Sequence, residues 1–131
     1  MDECGPGNPG GLSVEQIQAL RRGGAVDGRW LYPYSETVFP RGMRAPTFMW
    51  EGPDAQGLLL RITSSNFTYE GCIRPTSTGQ YLLPQDLWGN MGQQSLGELD
   101  PFRVELTWLS GGAAHGPIQI NLVVARATVK G

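Results

Sequence analysis

Lysine is nearly missing from this chain: nine of its ten cations are Arg, and the tenth is Lys130. Histidine occurs once, as His115, and cysteine twice, as Cys4 and Cys72. Each shortage excludes a chemistry. One His and two distant Cys, with no Cys-x-x-Cys pair, cannot supply the ligand spacing of a zinc site. Charged residues reach only 17%, against about 25% in an average globular chain, and the net charge is −2. A nucleic-acid surface needs a basic field, which this balance does not provide. No run of about 18 apolar residues occurs, so a helical membrane span is excluded. No basic-then-apolar leader is present either, and Met1-Asp2-Glu3-Cys4 reads as a mature or trimmed start. The Arg excess fits codon bias as well as a need for guanidinium forks, so it selects no function.

Glycine and proline are the opposite case. There are 19 Gly and 10 Pro in 131 residues, about 22% where roughly 12% is usual. Such content interrupts long helices and favours short elements joined by turns. Apolar residues at 40%, with four each of Trp, Tyr and Phe, are enough for one core and argue against disorder. The chain is one domain's length.

The first eleven residues read as an irregular arm. Cys4 lies beside Gly5-Pro6-Gly7-Asn8-Pro9-Gly10, which cannot bury a thiol unaided. Three readings follow: two free buried thiols, a lipidated Cys4, or a Cys4–Cys72 disulfide. The disulfide gives the arm a reason to be ordered and is worth about 3–5 kcal/mol in the chain-entropy account. It is the expectation here, and it implies an oxidising compartment.

Residues 12–24 carry the one strong helix signal. Ser13 and Gln16 form a capping box, with Leu12 stapled onto Ile17. Val14, Ile17 and Leu20 make an apolar stripe, Arg21 and Arg22 suit the negative helix end, and Gly23-Gly24 terminates it. So short a helix must dock on something.

From residue 28 onward the period becomes that of strands. Short extended pieces are predicted at 30–32, 37–39, 46–50, 58–63, 67–72 and 81–83, separated by Pro and Gly. Leu87, Trp88 and Met91 mark a helical turn near residues 85–92. Residues 102–109 alternate, with Phe102, Val104, Leu106 and Trp108 on one face. A Gly-rich turn over 110–117 should then lead into a long strand over 118–129. The prediction is an all-β, antiparallel β-sandwich over 28–131 with a docked helix.

The string Tyr32-Pro33-Tyr34-Ser35-Glu36-Thr37-Val38-Phe39-Pro40-Arg41-Gly42, with Ala45-Pro46 and Trp50, resembles the N-terminal immunoglobulin- or fibronectin-III-like domain of bacterial surface lipoproteins. Those chains often continue into a TolB-like β-propeller. The Gly7-Asn8-Pro9-Gly10-Gly11-Leu12 arm, Tyr69-x-Gly71-Cys72, Pro84-Gln85-x-Leu87-Trp88 and Val129-Lys130-Gly131 extend the resemblance over most of the chain. It implies an envelope or secreted location and a non-catalytic role. It departs from the pattern in that nothing follows Gly131: the expectation is either a larger protein trimmed there or a chain that acts alone.

Catalytic signals are sparse. His115 sits in a Gly-rich turn, where an exposed histidine is expected, and no Gly-x-Ser-x-Gly elbow accompanies it. Asp54, Asp86 and Asp100 lie in turns or beside prolines, positions where Asp caps backbone groups, and no EF-hand spacing supports calcium. Asn66-Phe67-Thr68 matches a glycosylation sequon but reads as a turn leading into a strand. Phe48, Trp50 and Trp108 belong to the core by their alternation. Trp30, Tyr32, Tyr34, Tyr81 and Trp88, near prolines and turns, are the candidate binding residues. The expectation is a non-enzymatic extracellular or envelope module that binds a protein or glycan or presents a neighbouring domain. It needs no cofactor, metal or nucleic acid, with a lipid anchor at Cys4 as the variant just named. A self-assembling subunit using its arm or a sheet edge is the alternative, and a hydrolase the third class.

Overall fold

A computed structural model of the chain describes residues 1–126. Nine strands and two helices follow one another as β1 (Asp2–Glu3), α1 (Val14–Arg22), β2 (Arg29–Tyr32), β3 (Thr37–Phe39), β4 (Thr47–Glu51), β5 (Gly57–Ser64), β6 (Phe67–Ile73), β7 (Gln80–Leu82), α2 (Gln85–Gln94), β8 (Phe102–Ser110) and β9 (Ala113–Val124). A short 3-10 turn at Gly97–Leu99 precedes β8.

The strands form two sheets, one ordered β1-β6-β5-β8-β9-β3 and the other β2-β4-β7. The larger is mixed, which corrects the antiparallel expectation. β1 runs parallel to β6 and β3 parallel to β9, while the four central strands are antiparallel. Tight turns set the direction of β6 after β5 and of β9 after β8. β1 and β3 reach their edges from elsewhere in the chain, so no hairpin dictates theirs.

Two cores explain the apolar runs. Phe48, Trp50 and Tyr81 of the small sheet meet Leu58, Leu60, Ile62, Val104, Leu106 and Trp108 of the large one, with Leu87, Trp88 and Met91 of α2 closing the edge. On the opposite face of the large sheet, Leu59, Leu109 and Cys72 pack with Ile17 and Leu20 of α1 and with Cys4 and Leu12 of the arm. Central strands covered on both faces lose their polar alternation, and this is why residues 58–60 read as a continuous apolar run.

The helix forms as its caps dictate. Ser13 Oγ accepts from the Gln16 amide at 3.2 Å, and Gln16 Oε1 accepts from the Ser13 amide at 2.9 Å. The Gly23 amide donates to the carbonyls of Ala19 and Leu20. Only Ile17 and Leu20 of the predicted stripe are buried; Val14 faces solvent at 66% exposure, one step outside the docking face. The predicted Gly-rich turn also contracts. Gly111 and Gly112 alone form the tip, with φ of 59° and 80°, and β9 begins at Ala113. β9 ends at Val124, and residues 127–131, including Val129-Lys130-Gly131, lie outside the described part.

The arm is fastened, not free. Cys4 and Cys72 form a disulfide that closes a sequence separation of 68. The Gly10 amide donates to Cys72 O at 2.8 Å, and Arg74 Nε donates to Gly10 O at 2.7 Å. A Cβ on Gly10 would lie 2.9 Å from Ile73 O, so only glycine lets the arm lie this close. Asn8 bridges the last bend, accepting from the Leu12 amide and donating to its carbonyl.

Candidate functional site

The five aromatic candidates separate by burial. Trp88 and Tyr81 are core residues, at 3% and 7% exposure, and present no ring to a partner. Their neighbouring prolines suggested a surface position, but α2 and β7 turn both rings inward. Trp88 packs edge-on against Phe39 at 5.3 Å and donates from Nε1 to Met43 O at 3.0 Å. Burial, then the charges of Glu3 and Asp86, push the Tyr81 hydroxyl up to about 12. Trp30, on β2 of the small sheet, is half-buried 5.3 Å from Phe48, and its buried Nε1 has no hydrogen-bond partner among the described residues.

Tyr32 and Tyr34 are different. They are 38% and 75% exposed, and their rings meet edge to face at 6.2 Å. Trp30 pairs with Trp50, and the next partner of Met49 is Tyr32, not Leu31. The extra residue is a bulge, which brings Leu31 and Tyr32 out together, each 38% exposed. Leu31 was missed because alternation alone assigns it no special place; the bulge is decided by pairing.

The turn carrying Tyr34 is held firmly. Tyr34 O accepts from the Thr37 amide at 3.1 Å and from its hydroxyl at 2.5 Å. Asn121 of β9 grips the same turn twice, its carbonyl accepting from the Glu36 amide at 2.5 Å and its amide donating to Ser35 Oγ at 3.3 Å. Glu36 takes φ 68°, a left-handed conformation that costs a non-glycine residue about 1 kcal/mol or more. The grip by Asn121 offsets that strain and leaves Tyr34 presented in one place. At the other end of β2, Arg29 Nε and Glu51 Oε1 form an exposed ion pair at 2.5 Å. Two adjoining rings on a rigid turn can stack against a ligand and orient it.

His115 is not the exposed turn residue the sequence suggested. It lies in β9, its side chain only 17% exposed, stacked on Trp108 at 5.9 Å with planes 13° apart. Its Nδ1 is 2.8 Å from Asp27 Oδ1. That is a base with its orienting acid, yet among the described residues no Ser, Thr or Cys side chain is hydrogen-bonded to the ring, so a nucleophilic triad is incomplete. The dyad instead clasps the segment after α1, where Gly24 donates to Gly116 O and Gly116 donates to Ala25 O.

The acids behave mostly as caps. Asp86 accepts from the Leu87 amide, Asp100 accepts from the Ser65 amide, and Asn66 occupies the β5–β6 turn. Asp2, Cys4 and Glu70 come within 4.8 Å of one another, but they do not suit a cation. The Cys4 sulfur is spent on Cys72, and Glu70 is bound by Arg21 at 2.5 Å and Arg61 at 2.8 Å.

The bonded sulfur removes the free-thiol and lipidated readings of Cys4, and an intramolecular disulfide suggests a non-reducing, extracellular or periplasmic setting. Among the described residues no helix is long and apolar enough to cross a membrane. No family model, curated protein or solved structure matches the chain.

Proposed function

We propose that this protein is a non-enzymatic recognition module of an extracellular or cell-envelope compartment, and that it binds a saccharide through Tyr32 and Tyr34. The observation that carries the proposal is the exposed, edge-to-face tyrosine pair on a turn pinned by Asn121. Ring faces stack on the C–H face of a sugar, and preorganisation cuts the entropy of capture. A protein partner is the competing occupant. A standard protein interface needs about 800 Å² from each side, more than two rings and Leu31 supply. The resemblance to immunoglobulin- or fibronectin-III-like domains of bacterial surface lipoproteins agrees with this role, and in that setting the module would also present a neighbouring domain.

The test is a glycan array followed by calorimetry. Tyr34→Ala and Tyr32→Ala should each weaken the bound saccharide by roughly tenfold, as for anchor residues in other interfaces. A chain that binds no glycan, or binds one equally well after both substitutions, overturns the proposal.

One observation favours the second reading, self-association. β3 is an edge strand of the large sheet, and exposed Val38, Leu96 and Leu99 line one shallow pocket with Val123 of the neighbouring β9. The arm supplies the opposite edge of the same sheet as β1, fastened in place by its disulfide and its pairing with β6. A mass that rises with concentration in sedimentation, and no longer rises after Val38→Lys, would support assembly. A monomer at every concentration would end it.

A further inference from the structure

The Tyr32–Tyr34 surface lies beside the middle of β4. Beyond the far end of that strand, the β4–β5 and β6–β7 connections border a cavity of about 520 Å³. Asp54, Gln56, Arg74, Ser77 and Thr78 line it, and no aromatic ring does. We propose that this cavity is a second, independent ligand site, specific for a small carboxylate that also carries hydroxyl groups, the chemistry of a hexuronic acid.

Arg74 is the reason. Its Nε is committed to Gly10 O at 2.7 Å, and Gly10 is in turn held by Cys72 O at 2.8 Å. The disulfide-fastened arm therefore fixes the guanidinium plane of a residue that lines the cavity. The remaining donors of the fork are not spent on a carboxylate, for Arg74 forms no ion pair with any described residue. An oriented Arg fork matches the two oxygens of a carboxylate.

Asp54 lines the same cavity and does not pair with Arg74. A site for a bare anion would gain nothing from that negative charge. A ligand with adjacent hydroxyls would use it, because a carboxylate accepts from two neighbouring O–H groups. Ser77, Thr78 and Gln56 add both donors and acceptors. The volume is that of an ordinary small-ligand site, and without an aromatic wall the ligand must be held by charge and hydrogen bonds.

The test is calorimetric titration of the oxidised protein with D-glucuronate, with D-glucose as the uncharged control and a short oligoglucuronate as the chain-borne form. Saturable glucuronate binding is expected, at least about tenfold tighter than glucose, the scale of one charged hydrogen bond. Arg74→Gln should lose about tenfold. Thr78→Trp fills the cavity from an exposed loop, leaves the Arg74–Gly10 bond intact, and should abolish binding. It alone decides if Arg74→Gln fails to fold. Tyr34→Ala should leave glucuronate binding unchanged, so failure here is distinct from failure at the tyrosine pair. Oligoglucuronate binding tighter than the monomer assigns the natural ligand to a glycan chain, and equal binding assigns it to the free sugar acid. Absence of saturable binding, equal affinity for glucose, affinity unchanged in Arg74→Gln, binding that persists in Thr78→Trp, or loss on Tyr34→Ala overturns the proposal.

Discussion

The Tyr69 hydroxyl donates to Glu3 Oε1 at 2.8 Å, passing over the bare backbone of Gly71. A Cβ at residue 71 would stand 2.1 Å from the Tyr69 oxygen. Burial, with the hydrogen bond to Glu3 next, raises the Tyr69 hydroxyl above its ordinary range and keeps it a donor. Gly71→Ala is therefore expected to displace the ring and lower stability by about 1–3 kcal/mol, the usual cost of overpacking. Tyr69→Phe, which keeps the ring and loses the bond, should lower it by about 1 kcal/mol. Denaturant midpoints separate the two; a neutral Gly71→Ala would refute the close approach.

Reduction of the disulfide should release the arm. In the chain-entropy account, closing a loop of this length stabilises by about 4 kcal/mol. Cys4→Ser should lower stability by about 2–5 kcal/mol and should expose the Gly10 amide, now bonded to Cys72 O, to rapid hydrogen exchange. Continued protection of that amide in Cys4→Ser would show that the arm docks without its covalent link.

Glu70 makes stability depend on acid. Burial alone would raise its carboxyl, but hydrogen bonds from Arg21 and Arg61, with their charges, outweigh it and hold the group below the ordinary carboxylate value. A folded value below the unfolded one stabilises fully above the unfolded value of about 4.3, and the contribution disappears as pH falls through the folded value. Glu70→Gln should cost about 1 kcal/mol at neutral pH, where the pair is partly screened by solvent, and progressively less below about pH 4. An acid titration of both proteins tests the sign: a gap that widens on acidification contradicts the pairing.

His115→Ala removes both the stack on Trp108 and the bond to Asp27. A loss of about 1–2 kcal/mol is expected, with a change in tryptophan emission as water reaches Trp108. Asp27→Asn, which leaves the stack in place, should cost less, about 0.5 kcal/mol. Equal losses from the two would mean that the stack contributes nothing.

Much of this architecture is local and so was legible in the chain. The Ser13–Gln16 box, the Gly23 cap and the Gly111-Gly112 tip are set by residues within one turn of each other. Alternation at Phe102, Val104, Leu106 and Trp108 marked a core face that the fold uses. The candidate site was half legible: Tyr32 and Tyr34 stood out as aromatics beside Pro33, but so did Tyr81 and Trp88, which the core absorbed.

What the sequence by itself determined is therefore the β-rich architecture, the docked helix and the need for something to hold a Gly/Pro arm. Periodicity, caps and the missing bulk of residues 5–11 act over a few residues, and those forces are written in the order of the side chains. What only the tertiary structure decided is long-range pairing. It set β1 and β3 parallel to their neighbours, inserted the bulge that exposes Leu31 with Tyr32, and brought Asn121 to the Tyr34 turn. Register and strand direction depend on the sum of contacts across two sheets, so no short stretch of chain encodes them.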